Sequence, residues 1–294
     1  MNSENKIKAL LIELGIITED SIAPYFPKVR DRDDVSVLKC NKSDVIFLSR
    51  SDHMSLSHYN EKKNFNYSGS KNRKNVLSAT LEDTQRRFEQ FKLIISNKKW
   101  VDIGTGAGGI LDLLSPIASE TMAVEPQESL RNVLAEAGYK VFSFIDQAPD
   151  DYFDIATLFH VFEHFTNPIE ELKSIRKKMI KGAKIIIEVP HARDFLISIL
   201  DIEAYKAFTF WSEHLILHTR ESLNTFLQAA GFSRIVISNF QRYPLANHLY
   251  WLAQGKPGGH IYWHYLRTPE LHQAYANMLS NIDRTDTLIA IAEN

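Results

Sequence analysis

The sequence predicts a doubly wound α/β fold, and three observations carry that expectation. The apolar run Lys99-Trp100-Val101-Asp102-Ile103 breaks into Gly104-Thr105-Gly106-Ala107-Gly108-Gly109 and resumes as Ile110-Leu111. That is the pattern of a buried strand, a tight turn and a helix start. Strand-like and helix-like stretches then alternate as far as residue 189, as they do when a parallel sheet carries helices on both faces. Glu125 follows the glycines at a distance suited to holding a ribose.

Each element has a local cause. Lys6, Ile7, Leu10, Leu11 and Leu14 recur at helical spacing over 3–14, and Gly15 stops the helix. Residues 35–40 and 45–48 look like two short strands around the polar turn Asn41-Lys42-Ser43-Asp44. The polar stretch 60–75 divides an accessory segment, 1–72, from a core over 73–294. An amphipathic helix over 76–95 leads into the strand at 99–103. Strands over 120–125, 139–143, 153–159 and 183–189 alternate with helices over 107–115, 127–137 and 167–180. Pro168 suits the first turn of the last helix, capped by Thr166 or Asn167. A helix over 219–230 ends at Gly231, and 234–238 and 287–292 are further strands. Residues 243–284 read as an insertion that caps the acceptor side. They hold His248, His260, His264 and His272 together with Trp251 and Trp263.

Composition excludes several classes. A chain of 294 residues with 44% hydrophobic and 24% charged residues is an ordinary globular one. A net charge of -2 offers no attraction for nucleic acid. The basic groups Lys71, Arg73, Lys74 and Arg176, Lys177, Lys178 read as solvated faces. The single cysteine, Cys40, excludes an internal disulfide and a four-cysteine zinc site and suggests a reducing compartment. No stretch approaches the ~20 apolar residues of a membrane span, and residues 1–17 carry mixed charges unlike a secretory signal. The expectation is a cytoplasmic protein with a small-molecule acceptor and no nucleic-acid or membrane partner, homodimerisation staying open.

The glycine turn suits either a dinucleotide or an amino-acid cofactor. Gly104, Gly106 and Gly109 fit the dinucleotide fingerprint. Asp102, however, is poorly placed beside a pyrophosphate and well placed for an ammonium group. With Asp102 the segment reads D-x-G-x-G-x-G, which resembles motif I of class I S-adenosylmethionine-dependent methyltransferases. Ala123-Val124-Glu125-Pro126 resembles that family's second strand, whose terminal acid takes the ribose hydroxyls. Residues 153–164, ending in Glu163-His164, resemble its fourth strand and the segment after it. Residues 181–190 resemble its fifth strand. The resemblance implies a seven-stranded Rossmann-like sheet with 287–292 as its antiparallel strand. It also implies S-adenosylmethionine as cofactor, held around Asp102, Gly104, Thr105, Gly106, Gly108, Glu125 and Pro126.

Ligands of such sheets sit at the carboxyl ends of the strands, which adds Ile145, Asp146, Phe159, His160 and Val161 to the cofactor site. Phe144 and Ile145 would sandwich the adenine and Asp146 accept its amino group. His160 would border the methionine end. The alternatives are two core residues, a loop acid and a structural histidine. Phe210-Trp211-Ser212-Glu213-His214-Leu215 resembles the E-H-L segment of sugar methyltransferases acting on nucleotide-linked deoxysugars. In that reading Glu213 and His214 are two separate acceptor contacts, because neighbours in regular structure point apart. A histidine with an ordinary pKa near 6.5 makes His214 the expected base, with His191 as its rival. The hairpin retains only Cys40 of a cysteine-rich zinc module, and Trp211 stands where the sugar family has a tyrosine. Oxygen is therefore favoured over carbon as the methyl acceptor. No metal is expected, although sites made of histidines and carboxylates stay open. The rival readings are a C- or N-methyltransferase on another small metabolite and a non-catalytic cofactor-binding scaffold.

Overall fold

The computed structural model describes residues 5–54 and 73–294. Most of the expected 60–75 linker lies outside the described residues. The N-terminal elements are α1 (Lys6–Glu13), β1 (Ile22–Phe26), β2 (Val37–Cys40) and β3 (Ile46–Leu48), followed by α2 (Arg73–Ala79) and α3 (Leu81–Ile95). Next come β4 (Lys99–Ile103), α4 (Gly109–Leu114), β5 (Glu120–Val124), α5 (Glu128–Glu136) and β6 (Lys140–Phe142). They are followed by β7 (Phe153–Phe159), α6 (Pro168–Lys178) and β8 (Met179–Pro190). The short helices α7 (Phe195–Ser198) and α8 (Glu203–Thr209) precede β9 (Ile216–Leu217), α9 (Arg220–Ala229) and β10 (Ser233–Phe240). The chain closes with α10 (Leu245–Gln254), α11 (Gly259–Tyr262), α12 (Pro269–Asn281) and β11 (Thr287–Glu293).

The central sheet has seven strands in the order β10-β11-β8-β7-β4-β5-β6. Strands β4 to β8 pair in parallel, and β11 runs antiparallel to both its neighbours, β8 and β10. Alternation along the strands divides the core between the two faces. Val101, Leu158 and Ile187 enter one apolar cluster, and Trp100, Ile155 and Ile186 the other. Strand order reverses between β4 and β7, and a crevice opens there beyond the carboxyl ends of the strands.

A second, four-stranded sheet orders β1-β2-β3-β9. Three of its strands come from the N-terminal segment. The fourth, β9, follows Glu213-His214 directly and pairs Ile46 with Leu217 and Phe47 with Ile216. Further contacts fasten the same stretch. Asp31 accepts the Ser212 amide at 3.0 Å and its hydroxyl at 2.6 Å, and the Leu48 amide donates to the carbonyl of Leu215. Tyr25 and Phe26 pack on Phe210 with ring centroids 6.0 and 5.6 Å away. The N-terminal segment thus braces the loop that carries Glu213 and His214.

Several expectations change. The helix expected over 76–95 is two helices, parted at Thr80, whose hydroxyl bonds back to the Val76 carbonyl at 3.1 Å. Strand β1 contains Pro24, which hides it from a sequence reading. Proline is tolerated there because β1 is an edge strand. Lys178 is not part of a solvated face: it is 5% exposed, and its Nζ donates to the carbonyls of Asp146 and Ala148 and to Asp150. Arg73 likewise binds the Ala107 carbonyl and Asp112.

Candidate active site

The glycine turn hangs on β5. The amides of Gly104 and Thr105 both donate to the carbonyl of Val124. The turn thereby borders a cavity of about 290 Å³, walled also by Glu125, Pro126, Ile145, Val161, His164 and Glu213. Gly104 permits a close approach: a Cβ there would stand 2.4 Å from Cγ2 of Val161. Gly106 has nothing within 4 Å of such a position, so its open side belongs to the cavity.

Glu125 defines one end. One carboxylate oxygen accepts the Gly106 amide and the other the Gln127 amide, each at 2.9 Å. Burial pushes this carboxyl up to about 7, against the pull of those two N–H groups. Each oxygen keeps a lone pair for a ligand hydroxyl. The loop after β6 forms the next wall. Phe144 is exposed toward the cavity and Ile145 is buried beneath it, with Lys178 holding the backbone that follows. A buried carboxylate with spare acceptor capacity and a glycine that leaves a cradle open fit the ribose and amino-acid parts of S-adenosylmethionine. Gly104, Gly106 and Glu125 would hold those parts, and Phe144 and Ile145 the adenine. Bound there, S-adenosylmethionine supplies a methyl group on a positively charged sulfur.

The other expected cofactor residues stand around this wall. Asp102 lies beneath the turn, 2% exposed, and accepts the Thr157 hydroxyl at 2.5 Å; burial raises its carboxyl to about 6. Thr105 and Gly108 shape the turn without bordering the cavity, and Gly108 adopts φ 75° at the start of α4. Asp146 is exposed and gives its carbonyl to Lys178. Phe159 turns to the opposite sheet face, stacked on Phe91 at 5.5 Å with the Arg87 guanidinium 4.8 Å from its ring. Phe159 is the last residue of β7, and side chains alternate across a sheet, so it falls on the opposite face from Leu158. Met54, Gln127 and Ser143 also line the cavity and were not anticipated. Met54 arrives from the N-terminal segment, which no local signal reveals.

A second cavity, of about 210 Å³, lies next to the first. Its walls include His160, His191, Asp194, His214, Tyr243 and Trp251, the last from α10. Glu213 borders the first cavity and His214 the second, so the two adjacent side chains do point apart. His214 stacks on His164 with centroids 5.3 Å apart. Burial, and then the neighbouring His164, push it down to about 3. An ordinary histidine base is therefore not what the site contains; the ring is neutral over the whole physiological range. His191 is 1% exposed. Its Nδ1 lies 3.0 Å from the Thr285 carbonyl, which places the ring proton on Nδ1 and leaves Nε2 as a bare acceptor. Burial pushes its pKa down to about 4.

A charge network that the sequence does not announce reaches the second cavity through His160 and Arg242. Glu188, fully buried at the end of β8, receives Arg86 at 2.9 and 3.0 Å and Arg87 at 2.6 Å. Asp83 binds Arg86 and Arg242, both at 2.6 Å. Burial opposes ionisation of Glu188, but the Arg87 charge and the His160 contact hold it well below the usual carboxylate range. His160, at φ 56°, lies within this network. Its Nδ1 is 3.3 Å from Glu163 and its Nε2 is 2.9 Å from Arg242.

The sheet order, the glycine turn and the buried acid at the second strand define a class I methyltransferase. A model of the family described as "Methyltransferase domain" matches residues 72–237, more than half of the chain, and the protein belongs to that family. It is a methyltransferase whose cofactor is S-adenosylmethionine. No curated protein matches the chain. Among solved structures, it resembles a SAM-dependent methyltransferase from Archaeoglobus fulgidus at 20% identity and a TM-score of 0.51, over 76% of this chain and 95% of that one. It also resembles an S-adenosylmethionine-dependent methyltransferase from Mesorhizobium loti, at 15% identity and a TM-score of 0.47, over 72% and 100%. A third likeness is to Haemonchus contortus phosphoethanolamine N-methyltransferase 2 with S-adenosyl-L-methionine, at 14% and 0.47, over 72% and 52%. At 20% identity the likeness to the Archaeoglobus fulgidus structure speaks for the fold alone. No described helix is long and apolar enough to cross a membrane.

Proposed function

We propose that the enzyme O-methylates a sugar, either nucleotide-activated or a glycan precursor. The observation that carries this reading is the wall of the second cavity. Aromatic faces from Trp251, Tyr205 and Tyr243 stand there among the hydrogen-bonding groups His191, Asp194 and Asn247. Sugars pair apolar C–H faces with a rim of hydroxyls, so such a mixture suits them. Arg242 and His260 border this cavity and a further one of about 410 Å³ beside it.

In this reading His191 forms part of the wall against which the sugar lies. His214 contacts the reacting oxygen, and Glu213 faces the cofactor cavity. The partner is then a small molecule.

Incubation with S-adenosylmethionine and a panel of nucleotide sugars, free sugars and small amines tests the proposal. A mass gain of one methyl on a sugar hydroxyl is expected. Methylation confined to amines or to carbon would reject it. His214→Ala should lower turnover while binding of S-adenosylhomocysteine stays nearly unchanged, as expected for loss of a contact to the reacting oxygen and not of a cofactor ligand. His191→Ala should act mainly on acceptor binding.

A further inference from the structure

Three side chains that no motif links as a set meet at the junction of the two cavities. Glu163 and His164 follow β7, and His214 lies on the acceptor loop. One ligand atom from each lies within 4.8 Å of the others. Backbone pairing fixes the meeting, because the Leu215 amide donates to the Glu163 carbonyl at 2.9 Å. Glu163 has no exposed surface, and its Oε2 finds no hydrogen-bond partner among the described residues. A buried carboxylate oxygen without a partner is costly unless something comes to it. Its other oxygen faces His160 Nδ1 at 3.3 Å. The far nitrogen of that ring, Nε2, stands 2.9 Å from Arg242 and 3.2 Å from the Glu188 carboxylate, so the ring is held between two buried acids. Outer hydrogen bonds of this kind orient metal ligands.

We propose that Glu163, His164 and His214 form a divalent-cation site of the Zn²⁺ class. Two imidazoles and one carboxylate are a set that leaves open positions for a substrate oxygen. Zinc bonds of ~2.0–2.2 Å place tetrahedral ligands about 3.3 Å apart, so the atoms must draw together by at most about 1.5 Å. His214, partly exposed on its loop, is the side chain with room to move. His164 borders the first cavity and His214 the second, so a cation held by both would stand between groups that line each. An acceptor hydroxyl bound there is made more acidic. The proposal rests on the oxygen-acceptor reading above for this role, but not for the binding itself. It replaces the expectation of metal-free turnover. His160 is a positioning residue for Glu163.

The test is titration of chelator-treated, full-length protein with Co²⁺ and Zn²⁺, followed by visible absorption and calorimetry. One cation per chain, with a cobalt d–d band in the wild type, is expected. Glu163→Gln and His214→Ala should each weaken binding about 100-fold, and His160→Gln roughly 10-fold. His264→Ala, on an exposed turn, should bind as the wild type does. Retained S-adenosylhomocysteine binding shows which variants are folded. Absence of stoichiometric binding, or binding undiminished in both Glu163→Gln and His214→Ala, overturns the site. Sugar methylation at full rate by metal-free enzyme overturns its role and leaves the sugar reading intact. Site-specific zinc binding with no methylated sugar does the reverse.

Discussion

Gly104 and Gly106 share a left-handed backbone, at φ 70° and φ 56°, yet their surroundings differ, and alanine at each should separate folding from binding. A side chain in that conformation costs roughly 1–2 kcal/mol by itself. At Gly106 that is the whole expected cost to the free enzyme, because nothing lies within 4 Å of the new methyl. At Gly104 the methyl would meet Val161 Cγ2 at 2.4 Å, Cγ1 at 2.9 Å and Cβ at 3.3 Å. With both γ-carbons and the Cβ on the same side, no rotation of the valine clears them. Overpacking adds about 1–3 kcal/mol, so Gly104→Ala should destabilise by roughly 2–5 kcal/mol. Urea unfolding followed by far-UV circular dichroism measures both. Calorimetry with S-adenosylhomocysteine should show the reverse order for binding. Gly106→Ala fills the cradle and should lose at least about tenfold in affinity, equivalent to ~1.4 kcal/mol. Val161→Ala should recover part of the Gly104→Ala loss, since the pair is in contact. If Gly104→Ala proves no less stable than Gly106→Ala, the packing argument is wrong. If Gly106→Ala binds the product normally, the cavity is not where the cofactor sits.

Two further outcomes concern stability. Lys178→Met should cost about 2–4 kcal/mol, because the carbonyls of Ala148 and Asp146 and the Asp150 carboxylate lose a charged donor whose own side chain is buried. It should also weaken product binding by loosening the loop that carries Ile145; an unchanged urea midpoint would contradict the packing seen here. Burial pushes His248 down to about 4, against about 6.5 unfolded. The unfolded chain therefore binds the extra proton between those values, and this contribution is present above pH 6.5 and lost as pH falls toward 4. At pH 4.5 the loss is roughly 2–3 kcal/mol. His248→Gln should flatten the acid limb of a stability-versus-pH curve by that amount, and parallel curves for the two proteins would rule it out.

What the sequence by itself determined was local and repeated. The glycine turn, the acid at the end of β5 and the apolar run of β7 each write their structure into a few adjacent residues. A parallel strand buried on both faces and a left-handed turn admit few alternatives. The antiparallel last strand followed from resemblance, and the structure has it. Gly104, Gly106, Glu125, Pro126, Ile145 and Val161, expected together from the sequence, do line one cavity. Phe159 shows the limit, since a single step of register sends a side chain to the other face. Tertiary structure alone decided the rest. Lys178 looks like a helix-end cation and is a buried clamp, because its partners stand some thirty residues away in sequence. Glu188 gives no sign in a β-strand that Arg86 and Arg87 will neutralise it. Glu163, His164 and His214 lie on two loops brought together by a backbone hydrogen bond. Such meetings depend on long-range chain closure and on burial, which shifts the titration of the groups it encloses. Neither quantity can be read from the spacing of residues along a chain.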